Sequence, residues 1–384
     1  MKKPKIDLDY LIDMLLRLLA VPSPCGFTDQ VVHCVGEELE RLEIPFEVTR
    51  RGAIRADMPS GEGRPARAIV AHLDTLGAMV RQLKPNGRLA LSPIGTWSSR
   101  FAEGARVTVS TEFGPRRGSV LPLLASGHAY GKAIDDQPSS WQHVEVRVDE
   151  VAAAADQLHA LGFRVGDPVH FDPNPEVTRS GFIVSRHLDD KAGVAALLAA
   201  ARAVVESGAS LEVACHLCFT ISEEVGSGAS HVLHGDIAEL VAIDNATNAP
   251  GQNSIEDGVT IAMMDSAGPF DYHLTQKLLQ TCAEHDVRHA RDVFNEYRCD
   301  AAAAVDAGND IRTALVCFAA DASHGYERTH IRSLQSLAQL LALYMQSPPT
   351  FRRDRKELGD LEGFPMQDVE LVRRAEAEID ADEV

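Results

Sequence analysis

Residues 66–77 read ARAIVAHLDTLG. Their first seven, Ala66 to His72, are a short apolar run of the kind buried in an α/β sheet. The run ends by turning polar, with His72 and Asp74 two positions apart. A buried strand that delivers an imidazole and a carboxylate at its end predicts an open α/β sheet that carries its site on the strand ends.

The chain before this strand alternates helix and strand. Apolar residues at Leu8, Leu11, Ile12, Leu15, Leu18 and Leu19 form one helix face over 8–19, unlike the unbroken apolar stretch of a secretory signal. A second helix is expected from Thr28 to Leu42, then strands at Pro45–Thr49 and Ala53–Met58. From Leu76 to Ser180 the texture changes to short β-type stretches (MVRQL, RLALSPI, ARVTVSTEF, RGSVLPLL, HVEVRVD) separated by Gly, Pro and Asn turns, with one Ala-rich helix at Asp149–Leu161. After Arg186 the alternation returns: helix 191–206, strand 211–221, a helix after Gly226, strands 239–244 and 258–264, helix 270–285, strand 311–319 and helix 332–346. The expected fold is therefore α/β, a mixed and mostly parallel sheet sandwiched by helices, with a small β-rich domain inserted. Residues 1–75 and 181–347 form the first unit, 76–180 the insert, and 348–384 an acidic tail ending EAEIDADEV, expected to be frayed.

Across 384 residues, 37 Lys and Arg face 56 Asp and Glu, a formal charge of −19. No basic cluster outweighs that field, which argues against nucleic acid and anionic membrane as partners. An apolar share of 45% is that of a globular protein, and no apolar run approaches the roughly 20 residues of a membrane span. The seven cysteines (25, 34, 215, 218, 282, 299, 317) are odd in number and scattered, which points to a reducing cytoplasm. Cys215 and Cys218 form a CxxC inside LEVACHLCFTI, where they read as core thiols of a buried strand.

Five segments place metal-liking side chains at the ends of apolar strands: AHLDTLG (His72, Asp74), RHLDDKAG (Asp189, Asp190), ISEEVGSGAS (Glu223, Glu224), AIDNAT (Asp244) and DASHGYERTH (His324). One such acid alone is ordinarily a cap or turn residue. In an extended strand His72 and Asp74 point to the same side, so the Asp74 carboxylate can support the imidazole. In LDDKAG, spacing does not choose between the two aspartates. In EEVG, adjacent carboxylates face opposite ways if extended, so one can bind metal while the other addresses a water. Together the segments suffice for two divalent cations only if one carboxylate is shared. That is the two-metal hydrolase solution, in which the pair lowers the pKa of a water and the glutamate left free is the general base.

In order and approximate spacing, these motifs over residues 8–346 resemble the tetrahedral aminopeptidase family, the glutamyl-aminopeptidase-like dinuclear-metal peptidases. The resemblance implies His72 and Asp244 on one metal, Glu224 and His324 on the other, and Asp189 bridging both, with Zn or Co as the two ions. It makes Glu223 the general base, Asp74 the partner of His72, and Asp190 a residue that shapes the turn. It also implies that the β-rich insert is a dimerisation domain, that the protein is a homo-oligomer whose dimers can build a tetrahedral dodecamer, and that its substrates are small peptides. Around the last ligand the family usually has an Arg-Tyr pair, then His-Ser-Pro and a Glu. Here the run is Ala322-Ser323-His324-Gly325-Tyr326-Glu327: the histidine stays, the usual basic and proline positions are gone, and Glu327 keeps the acid. The sequence is similar too to a bacterial subgroup associated with the osmoprotectant N-acetylglutaminylglutamine amide.

Other readings stand beside this one. His330 is near enough in sequence to be an alternative ligand, and His187 lies two residues before Asp189. The remaining histidines, His234 among them, read as surface or satisfied core residues. Asp300, in the CDA segment, is a helix cap or a substrate contact. Gly226 and Gly228 lack the GK[ST] of a phosphate loop. A non-catalytic, metal-stabilised shell or scaffold subunit is the main alternative function. A glycosidase fits less well, because its two carboxylates stand about 5–9.5 Å apart across a sugar.

Overall fold

The computed structural model describes residues 1, 3–59, 63–233, 235 and 237–367. The acidic ending at 376–384 and His234 lie outside the described residues. Two hydrophobic cores form and share no residue, one drawn entirely from 78–171 and the other from the chain on either side.

The large sheet is built around four parallel strands, Cys215–Thr220, Ala66–His72, Ile237–Thr247 and Arg312–Ala320, side by side in that order. Every residue of the first two is buried, which is why they read as continuous apolar runs. The flanks are antiparallel: Ile54–Asp57 and Phe46–Val48 extend one edge, and Val259–Asp265 the other. The helix Leu188–Ser207 packs against this sheet between Leu8–Ala20 and Ile331–Gln346. It is buried almost all round, which explains why its alanine-rich sequence shows little amphipathic contrast.

The insert is a closed, antiparallel six-stranded barrel, with Gly77–Leu83, Leu89–Ile94, Val144–Val148, Gly114–Pro122, Arg106–Thr111 and Pro168–Phe171 in cyclic order. Alternate residues such as Val107, Val109, Val144 and Val146 fill its interior. A small sheet of Glu176–Val177, Phe182–Ser185 and Glu327–His330 then ties the return from the barrel to the His324 segment.

Several elements differ from expectation, and one of them, the helix Asp300–Asp306, was not foreseen. The Ala-rich helix spans only Ala155–Ala160. Ala152 and Ala153 pack beneath Gly87, where a Cβ would come within 2.2 Å of the Ala152 carbonyl, and Gln157 Oε1 takes the Ala153 N–H at 2.6 Å. After Gly226 there is a single 3-10 turn, Gly228–His231, in place of a helix. The strand His289–Val293 was not expected: its only buried side chain is the polar Asp292, so it carries no apolar signal.

Candidate metal centre

The strand Ala66–His72 ends with its last side chain aimed at the start of Leu188–Ser207. His72 Nε2 lies 3.1 Å from Asp189 Oδ1 and 3.8 Å from Glu223 Oε2. The other oxygen of Asp189 is 3.4 Å from His324 Nε2, which is also 3.5 Å from Glu224 Oε2. Ligand atoms of His72, Asp189 and Glu224 all fall within 4.8 Å of one another, as do those of His72, Glu223 and Asp244. His324 joins this cluster through Asp189 and Glu224. None of the remaining histidines among the described residues belongs to either group.

The donor set suits divalent cations of the zinc type, since it consists of imidazole nitrogens and carboxylate oxygens. Each imidazole is oriented by a backbone carbonyl: His72 Nδ1 lies 2.9 Å from Asp74 O and His324 Nδ1 2.8 Å from Thr96 O. A carbonyl can only accept, so each Nδ1 carries the proton and each Nε2 faces the acids. Burial pushes Glu223, Glu224 and Asp244 well above the carboxylate range, and the neighbouring acids add to the effect. Burial also opposes charge on His324, but the bond to Asp189 and the charges of Glu224 and Asp189 raise it to about 10. Buried acids this crowded need protons or a cation among them, and a metal competes with protons for the same atoms.

Asp74 is placed differently from the expected contact. Its carboxylate is 3.7 Å from His72 Nδ1, and instead accepts the backbone N–H groups of Glu223 at 3.1 Å and Glu224 at 3.2 Å, with the Cys25 thiol at 2.6 Å. Those N–H groups take the oxygens, so the ring settles on the Asp74 carbonyl. Asp190 does not face the histidines' Nε2 atoms: its Oδ2 accepts the backbone N–H of His72 at 3.2 Å. Asp189 is the aspartate between the rings.

Two contributors had no role assigned to them from sequence. Glu327, buried, accepts the N–H of Asp189 at 3.1 Å and of His324 at 3.0 Å, and so clamps both backbones. Asn245 Nδ2 donates to Asp189 Oδ2 at 2.7 Å and to Asp244 Oδ1 at 3.1 Å. Its only signal was its place beside Asp244. Asp300 is engaged within the fold, accepting from Thr220 Oγ1 and Ala229 N, both at 2.7 Å. Gly228 makes room for it, since a Cβ there would sit 1.7 Å from Asp300 Oδ1. His187 Nε2 bonds the Phe171 carbonyl at 3.1 Å and His330 Nε2 the Ser180 carbonyl at 3.0 Å. A cleft of about 990 Å³ opens onto Asp189, Glu223, Glu224, Asp244 and His324.

The sequence profile described as M42 glutamyl aminopeptidase matches residues 52–340. The Bacillus subtilis protein named Putative aminopeptidase YhfE is 35% identical over 88% of this chain and 97% of its own length. A TET aminopeptidase structure from the marine sediment archaeon Thaumarchaeota archaeon SCGC AB-539-E09 superposes with a TM-score of 0.80 at 17% identity, over 88% of this chain and 96% of that one. The Pyrococcus horikoshii TET1 peptidase, described as assembling into a tetrahedron or a large octahedral shell, gives 0.75 at 22% identity, over 87% and 99%. At those identities the structures speak for the fold, the same mixed sheet with an inserted barrel.

Proposed function

Because the chain belongs to the M42 glutamyl aminopeptidase family, and is thereby a metallo-aminopeptidase acting on the N-terminal residues of peptides, we propose that His72 and Asp244 hold one divalent cation, Glu224 and His324 a second, and that Asp189 bridges them. The observation that carries this reading is the position of Asp189 between two imidazoles, one oxygen toward each Nε2. Zinc or cobalt suits the nitrogen and oxygen donors.

When bound, two such cations polarise the scissile carbonyl and make a water acidic enough to ionise near neutral pH. Glu223 takes the proton from the attacking water and returns it to the nitrogen of the leaving amine, ending the cycle ionised as it began. Asp74 fixes Glu223 and Glu224 through their backbone N–H groups. The acid-lined cleft receives the free ammonium of the peptide.

The natural substrates in this reading are short Gln- or Glu-containing peptides related to N-acetylglutaminylglutamine amide. That compound has a blocked amine and becomes a substrate only after deacetylation. Support comes from the sequence resemblance to the osmoprotectant-associated subgroup. A cytoplasmic setting belongs to this reading, and it is supported by seven scattered cysteines that are all free thiols. The barrel is the dimerisation domain, and the dimers close into a shell.

The test is to strip the protein of metal, reconstitute it with Zn or Co, and assay aminoacyl and short peptide substrates beside their N-acetylated forms. Hydrolysis should vanish on stripping, return with metal, and spare the acetylated forms. Glu223→Gln should lose roughly 10²–10⁴ in rate while still binding metal. Hydrolysis that survives stripping, or a Gln variant at full rate, overturns the mechanism.

A further inference from the structure

The two histidines of the centre are oriented from different sources. His72 leans on the carbonyl of Asp74, two residues away in its own segment. His324 leans on the carbonyl of Thr96, which belongs to the inserted barrel, between the strand Leu89–Ile94 and the turn Ser99–Phe101. The His324 segment is not one that its own backbone favours, since Ala322 has φ 53° and His324 φ 61°. Contacts from outside hold it in place. One is the Glu327 carboxylate, and two are from the barrel: the Thr96 carbonyl, and the Phe101 ring, which lies 3.0 Å from where a Cβ of Gly325 would stand.

Thr96 is itself held on both sides. Gly95 adopts φ +80°, and a Cβ there would meet Leu76 Cδ2 at 2.4 Å. On the other side, Trp97 Nε1 donates to Gly77 O at 3.2 Å, and its ring meets the rings of Trp141 and Phe171 edge-on at 4.8 Å each. Trp141 Nε1 donates in turn to the Trp97 carbonyl at 3.1 Å. The peptide units around Thr96 are thus pinned by an indole pair, one member of which lies just before the barrel strand Val144–Val148.

We propose that the barrel is a working part of the metal centre: through Thr96, held by Trp97 and Trp141, it positions His324 and sets the affinity of the second cation without affecting the first. The proposal rests on the reading of His324 as a metal ligand. Outer groups that orient a ligand act on its basicity and direction, so their loss weakens metal binding at that ligand alone.

The full-length protein, stripped of metal, is titrated with Co²⁺ and followed by visible absorption and by native mass spectrometry for stoichiometry. The parent should fill in two steps. Gly95→Ala, which strains the backbone beside Thr96 at φ +80°, and Trp141→Ala should each weaken the second step by about ten- to a hundredfold and leave the first in place. Trp141→Phe keeps a ring but not the donor, and should fall between. Gly104→Ala is the matched control, since Gly104 shares the conformation at φ +79° but has nothing within 4 Å of its Cβ position, and it should leave both steps unchanged. A two-step parent whose variants bind both ions as it does, or lose both steps together, overturns this proposal alone. A parent that takes up only one ion overturns the ligand assignment, and this proposal with it.

Discussion

At Glu327 a single carboxylate accepts from two backbone N–H groups, those of Asp189 and His324, one on each oxygen. A glutamine has only one acceptor oxygen, so its amide group would confront the other N–H in a buried site. Glu327→Gln should therefore cost about 1–3 kcal/mol of stability, the usual penalty for an unmet buried donor. Calorimetry and metal analysis of the purified variant should show a lower melting temperature together with weaker metal retention. If both stay at the parent's values, the clamp is dispensable. The acid was visible in the sequence as what remained of a familiar motif, but its task was not, because its partners are main-chain groups on distant segments. His72 and Asp74 teach the same point. Strand spacing put them on one side, yet the choice between Asp74's carbonyl and its carboxylate was made by the amides of Glu223 and Glu224.

Among the elements, the barrel strands are tied by one buried acid. Glu145, on Val144–Val148, accepts from Lys84 and Arg88, which flank the turn joining Gly77–Leu83 to Leu89–Ile94. Burial alone would raise its carboxyl, but the bonds to Lys84 and Arg88 outweigh this and hold it below the ordinary value. A carboxyl depressed in the folded state adds stability above its unfolded pKa, and that contribution is lost as pH falls through the folded value. Glu145→Gln should be less stable than the parent at pH 7 by about 1.5–3 kcal/mol, the range for hydrogen bonds to charged groups. In melting curves taken from pH 7 downward the gap should narrow below about pH 4, near the ordinary glutamate pKa. A gap that stays constant with pH would show that Glu145 contributes no charge-dependent stability. Elements with strong local patterns were legible: the strand Ala66–His72 was read to the residue, and Ile331–Gln346 within one residue of its start. The Ala-rich helix was overestimated because alanines carry no sign of the glycine turn packed over them.

On the scale of the whole molecule, the barrel bears exposed apolar side chains that a lone domain does not need. Phe113 is 63% exposed and Val165 65%, on neighbouring turns linked by the ion pair of Glu112 and Arg164. If this face is where dimers form, light scattering should find the parent in multiples of two chains, and Phe113→Asp with Val165→Asp should shift it to smaller species. A monomeric parent would end the shell reading. The amino-acid sequence by itself determined the sheet, the inserted β-rich domain, the family, and the set of acids and histidines that meet, because apolar periodicity and short motifs are local and survive without coordinates. Only the tertiary structure decided how these groups are held: Asp189 between the rings, Asp190 and Asp74 on backbone amides, Glu327 on the backbone amides of Asp189 and His324, and the Thr96 carbonyl against His324. Backbone N–H and C=O groups are the same at almost every position, so no residue type announces which of them will face a side chain once distant segments are packed together.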